Sequence, residues 1–380
     1  MVWVGRISFP LYLWHWGLLS FARIINDGKI SYVLTGFLLL LSFILSWMTY
    51  QFIETPIRRI QNKQQEKRVG LILCFLLMIV GGIGYSIFKF TPFNSRPLMS
   101  VAKTQLYDLT NFDEYKQQVK KCSGVGGNDK LNFCFKLHSG KAQVAIWGDS
   151  HAEHLFPGAI KYPLNANWML IGRSSCPPLI GVKAYWKGEK DFCENTNLKI
   201  LELLTNDESI HHIVLSSLGQ FYVSNQINGA EFIREHHPKN FHLESSDELD
   251  LAKDKVFEKG LEQTIVMLLQ AKKQVILVED IPTLAFMPSA CIPRPLRYDS
   301  NKCHLERFGL LENQKRYHRI LLSMKQKYPE IHLFNAFNLI CGKKFCSATR
   351  DKHLLYRDSH HLTTYGSQWL MSKFKYHEIK

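Results

Sequence analysis

The sequence predicts an α/β domain on a five-stranded, mostly parallel sheet covered by helices on both faces, preceded by three transmembrane helices. Three observations carry this expectation. Uncharged apolar runs fill Ser31 to Ile53 and Val69 to Phe88, strand-like runs alternate with helical ones after residue 136, and eight of the nine cysteines follow the last apolar run.

The two uncharged runs are each long enough to cross roughly 30 Å of hydrocarbon as a helix. A third candidate, Ile7 to Ala22 (ISFPLYLWHWGLLSFA), is shorter and holds Pro10 and His15, but its Trp and Tyr residues suit a membrane interface. It lacks the cleavage site of a signal peptide, so it is expected to be retained. The loop Glu54 to Arg68 carries Arg58, Arg59, Lys63, Lys67 and Arg68 against two glutamates. Short basic loops stay cytoplasmic, so the chain beyond about residue 90 is expected outside the inner membrane.

The cysteines agree with export. Only Cys74 lies in an apolar run; Cys122, Cys134, Cys176, Cys193, Cys291, Cys303, Cys341 and Cys346 all follow it. An even number in an exported part fits disulfides. Eight cysteines allow roughly a hundred connectivities, but the spacing falls into neighbours: 122 with 134, 176 with 193, 291 with 303, 341 with 346. No spacing repeats as a zinc ribbon requires, so no metal is expected. The net charge of +14 is partly the membrane loop; the rest fits ordinary solvation or an anionic polysaccharide or lipid surface, and no nucleic-acid module is present.

In the exported part, TPFNSRPLMS (91–100) reads as a linker and the polar chain to Phe135 as an irregular cap. Strands are expected at 143–150, 167–174, 212–217, 274–280 and 332–337. Helical spacing covers Asp254 to Lys273, Leu305 to Lys327 and about Thr363 to Tyr376, and the polar stretch Tyr222 to Asp250 reads as a surface insertion. In such sheets the working residues collect at the carboxyl ends of strands.

Ser150 falls at one, in KAQVAIWGDSHAEHLF. A serine hydroxyl needs a base to take its proton and donors for the oxyanion that follows. At a strand-to-helix turn, the Ser150 N–H joins the positive end of the new helix, and Gly148 permits a tight turn. Alone, Gly-Asp-Ser is more often a helix cap. A second cluster, LLYRDSHHLTTYGSQWL, changes the balance: Asp358 can orient His361, leaving its other ring nitrogen for Ser150. His360 reads as a solvent-facing loop residue. His154 shares the Ser150 helix face but has no carboxylate to orient it, and His151 reads as a neighbouring or substrate-facing residue.

GDSH after the first strand and DSHHL before the last helix resemble the first and last blocks of the SGNH hydrolase superfamily. ISFPLYLWHWGLL with FIETPIRR resembles the last core helices of the acyltransferase-3 family, and the paired cysteines with SSCPPL resemble fusions of the two, the O-acetyltransferases of bacterial surface polysaccharides. The resemblance implies a three-layer SGNH-like fold and this organisation: 1–60, the last two helices of an acyltransferase-3-like domain; 61–92, a linking transmembrane helix; 93–135, linker and cap; 136–380, the catalytic domain. It implies Ser150 as nucleophile, His361 as general base then acid, and Asp358 as its orienting partner. For the oxyanion it offers the Ser150 N–H, Gly172 and, with no asparagine after the third strand, Ser217 or Gln220. His15 belongs to the membrane motif but alone reads as a packing residue.

The resemblance requires no cofactor in this domain; acetyl-CoA or another acyl donor is implied for the full family assembly. The expected partners are a cell-envelope glycan, the inner membrane and a separate polypeptide supplying further acyltransferase helices, with the SGNH-like domain in the periplasm. Three functions stay open: O-acyl, above all O-acetyl, transfer through an acyl-Ser150 intermediate; carbohydrate ester hydrolysis; and an inactive or partner-dependent remnant.

Overall fold

The computed structural model describes residues 2–26, 30–90, 97–122, 133–186, 191–224, 241–248, 250–294 and 303–375. Residues 91–96 of the expected linker and 225–240 of the expected insertion lie outside the described residues. The chain divides into two compact units, Met1–Ala102 with Pro293–Tyr298, and Lys103–Ile292 with Asp299–Lys380.

In the first unit, Tyr32–Arg58 and Lys63–Lys89 are long and apolar enough to cross a membrane. The first helix, Val2–Ile25, has the length, but Pro10, His15 and its interfacial aromatics dilute its apolar character. Trp14 Nε1 bonds Thr49 Oγ1 on the second helix at 2.9 Å. His15 Nδ1 lies 2.9 Å from the carbonyl of Leu11, a local contact that accounts for this residue without chemistry.

The second unit is built on a seven-stranded sheet. Its strands are β1 (Lys120–Lys121), β2 (Phe133–Lys136), β3 (Val144–Gly148), β4 (Trp168–Gly172), β5 (His212–Ser216), β6 (Gln274–Glu279) and β7 (His332–Asn335). They lie in the order β1-β2-β4-β3-β5-β6-β7. The five expected strands are the contiguous parallel part. Two more, both antiparallel, extend the edge beyond β4. They come from residues expected to be an irregular cap, which also form a helix over Pro97–Thr110 and a 3-10 helix over Phe112–Gln118. The disulfide Cys122–Cys134 closes the β1–β2 connection, so a pairing too short to show in the sequence is fixed covalently.

Each central strand alternates its apolar residues between two cores, as period-two geometry requires. Ala145 and Trp147 of β3, with Met169, Ile171, Ile213 and Leu215, face the helices Glu194–Asn206, Lys253–Gln270 and Arg307–Lys327. Val144 and Ile146, with Trp168, Leu170 and Val214, face Phe156–Lys161 and Thr364–Met371. This is a three-layer α/β/α arrangement. The chain leaves β3 first toward β4 and later returns on the other side to β5, so the carboxyl end of β3 is a switch point, where open α/β sheets form their crevice. The other three expected cysteine pairs also form: Cys176–Cys193, Cys291–Cys303 and Cys341–Cys346.

Candidate active site

Gly148, Asp149 and Ser150 carry the chain from β3 into a short helix, Ser150–Glu153. The reason for glycine at 148 differs from the expected one. A Cβ there would lie 1.7 Å from the carbonyl oxygen of Ser216 on β5, so glycine lets two strand ends approach. Gly172, paired with Gly148 across β3 and β4, is under the same constraint: a Cβ would lie 1.9 Å from the Gly148 carbonyl oxygen.

Asp149 takes the capping role. Its carboxylate accepts from His151 N–H at 2.7 Å, Leu218 N–H at 3.0 Å and the Tyr222 hydroxyl at 2.6 Å. One buried side chain therefore ties the turn after β3 to the turn after β5, and the hydroxyl of Ser150 is not spent on the cap. It instead meets His361, whose Nε2 lies 2.8 Å from Ser150 Oγ. His361 Nδ1 lies 2.8 Å from Asp358 Oδ2. The other oxygen of Asp358 accepts from the N–H groups of His360 and His361 at 2.9 and 2.7 Å, which locks the carboxylate in its own loop.

The electrostatics suit a neutral base beside an ionised carboxylate. Burial would push Asp358 up, but the facing His361, then His360 and its N–H, hold it well below the usual carboxylate range. Burial pushes His361 down; Asp358 opposes this, while the neighbouring His151 and Arg357 add to it. His154, fully buried, is driven well below the usual imidazole value by burial and by the two nearby histidines. No hydrogen bond joins its ring to Ser150 among the described residues; only its backbone N–H meets the Ser150 carbonyl, at 3.0 Å.

Two features were not legible in the sequence. His151 Nδ1 lies 2.7 Å from Asp280 Oδ1, with side chains 1% and 2% exposed. Asp280 follows β6, and an acidic residue at the carboxyl end of a parallel strand is the one signal that could have marked it. Burial opposes a charge on His151, but Asp280, then Asp149 and Asp358, push it up. His360, expected to face solvent, instead stacks near His151 at 5.7 Å between ring centres, with its own Nδ1 3.4 Å from Asp358 Oδ1.

His151, His360 and His361 each bring a ring nitrogen within 4.8 Å of the others. Both nitrogens of His361 are engaged by Asp358 and Ser150, so a metal ion there would compete with Ser150 for its base.

Of the expected oxyanion donors, Ser150 heads its helix and Gly172 ends the adjacent strand. Ser217 lines a small cavity with Phe257, Leu261 and Tyr317 beneath the opposite layer. Gln220 is buried, and neither end of its amide has a partner among the described residues. The segment before β1 braces both halves of the site: Tyr115 donates to Glu153 at 2.8 Å, and the Arg357 guanidinium lies 3.7 Å from the Phe112 ring centre.

A family described as the SGNH domain fused to AT3 domains matches residues 117–375. A Staphylococcus aureus (strain MRSA252) protein named as a candidate O-acetyltransferase is 33% identical over 81 residues, which is 21% of this chain and 13% of that relative. The match thus spans a small fraction of the relative's length. Among solved structures, the periplasmic domain of a lipopolysaccharide acetyltransferase from Salmonella ser. Paratyphi A is 17% identical, with a TM-score of 0.42 over 64% of this chain and 85% of that one. A carbohydrate acetylesterase from Sinorhizobium meliloti is 11% identical, with a TM-score of 0.32 over 61% and 95%.

Proposed function

The chain belongs to the family of SGNH domains fused to AT3 domains, and from that premise we propose that its periplasmic domain transfers an acetyl group to a hydroxyl of a cell-envelope glycan. The observation that carries the reading is the unbroken chain from Asp358 through His361 to the Ser150 hydroxyl. His361 Nε2 takes the proton as Ser150 Oγ attacks the donor's acyl carbonyl. The tetrahedral oxyanion is held by the Ser150 N–H, with Gly172 and Ser217 or Gln220 as further candidate donors. Collapse breaks the bond to the donor's leaving group, which leaves with the proton from His361. The acceptor hydroxyl then gives its proton to His361, attacks the acyl-Ser150, and Ser150 leaves and regains a proton. Donor ester plus glycan alcohol become glycan ester plus donor alcohol.

Hydrolysis is the second reading. The side chains of Asp358 and His361 are 32% and 14% exposed, which leaves water a path to the acyl-enzyme.

The direct test is to mix the full chain with 4-nitrophenyl acetate, quench in acid and search the Ser150 peptide for an acetyl group. Acetate found only on other residues, or wild-type turnover in Ser150→Ala, defeats the proposal. Adding glycan then separates transfer from hydrolysis.

A pH dependence follows. His361 must be neutral to accept the proton, and its value lies below the ordinary imidazole value of about 6.5. The rate is therefore expected to rise with pH, to reach half its maximum below that value, and to be flat through neutrality. A half-maximum above pH 7 in the profile of kcat/KM contradicts this.

A further inference from the structure

A cavity of about 400 Å³ lies within the second unit, away from Ser150. Tyr107 to Gln118 supply one part of its lining; the helices Phe156–Lys161 and Thr364–Met371 supply most of the rest. The first helix follows closely on Ser150 and the second on His361, yet none of Ser150, Asp358 and His361 lines the cavity. It is a separate space on the scaffold that holds both halves of the site, and its volume falls in the range of ligand pockets.

Its chemistry is specific. The Tyr365 ring stacks on His353 with centres 4.0 Å apart and planes 9° off parallel. Asp108 fixes His353 at 3.0 Å and also accepts from the Leu354 N–H at 2.8 Å. Thr364 Oγ1 is buried with no partner among the described residues, and Gln118 and Gln368 add amide groups. Flat aromatic surface beside neutral hydrogen-bonding groups matches a sugar ring, which has an apolar face and a rim of hydroxyls. The carboxylates are already answered, Asp108 by His353 and Glu114 by the Tyr107 hydroxyl at 2.7 Å, so neither is left to draw a cation; Lys161, exposed, is the cation in the lining.

We propose that this cavity is a second glycan subsite, which holds a pyranose residue of the acceptor chain while a different residue of that chain presents its hydroxyl to Ser150. This rests on the acyl-transfer reading above. The distance between cavity and serine then sets which residue along the chain is modified.

The test is calorimetry on the full chain in detergent, with maltohexaose, cellohexaose and chitohexaose as probes. At least one is expected to bind saturably, to wild type and Ser150→Ala alike. Gln118→Ala with Gln368→Ala is expected to weaken it about tenfold, the loss of one or two neutral hydrogen bonds, while hydrolysis of 4-nitrophenyl acetate stays unchanged. Binding of none of the three by wild type, or equal binding by the double variant, overturns the subsite. Absence of Ser150-dependent ester cleavage is a separate result: it defeats the acyl-transfer reading whatever the calorimetry shows.

Discussion

Ser150→Ala is expected to lower turnover of 4-nitrophenyl acetate by about 10⁴- to 10⁶-fold, and His361→Ala by a similar factor. Combining them is expected to cost little more, because the two atoms 2.8 Å apart act as one device. Asp358→Asn is expected to cost up to about 10⁴-fold, since an amide at that position favours the wrong imidazole tautomer. Folding is expected to survive all three. Asp149 makes the structural bonds at this turn and is left untouched. Rates from stopped assays with matched circular dichroism spectra decide the matter; a double variant far worse than either single one shows that serine and histidine act independently.

That separation of roles could be read only partly from the sequence. Gly-Asp-Ser fits both a helix cap and a nucleophile, and the structure divides the two between adjacent residues. Asp358 and His361 were legible because their three-residue spacing is local, and so were the five parallel strands, short apolar runs of which β3 and β4 are buried along their whole length and the edge strand β7 only partly. The edge strands β1 and β2 were not. β1 is two exposed lysines, and its strand character comes entirely from pairing with β2, which pairs in turn with β4. The bond between His151 and Asp280 spans 129 residues and leaves no local pattern. The orphaned amide of Gln220 belongs to the same class: its setting depends on what the layers bring around it.

Asp280→Ala is expected to destabilise the second unit by about 3–5 kcal/mol, the usual cost of removing one partner from a buried charged pair. Both side chains are almost fully buried, so water cannot replace the lost carboxylate at His151 Nδ1. Asp280→Asn is the sharper variant, because it keeps the volume and an acceptor oxygen while removing the charge. Burial, which pushes His151 down, is then opposed only by Asp149 and Asp358, which favours its neutral form. His361 loses a neighbouring cation that pushes it down, so its own value rises, with Asp358 still opposite it and Arg357 still nearby. The acid limb of the rate profile is accordingly expected to move to higher pH in Asp280→Asn, with activity at neutral pH nearly retained. His151→Gln, which also removes the cation, is expected to move it the same way. Melting temperature and kcat/KM against pH, measured on both variants, separate the outcomes. A limb that stays in place while stability falls makes the pair a structural tie alone; a common upward shift makes it the group that keeps the base of Ser150 neutral.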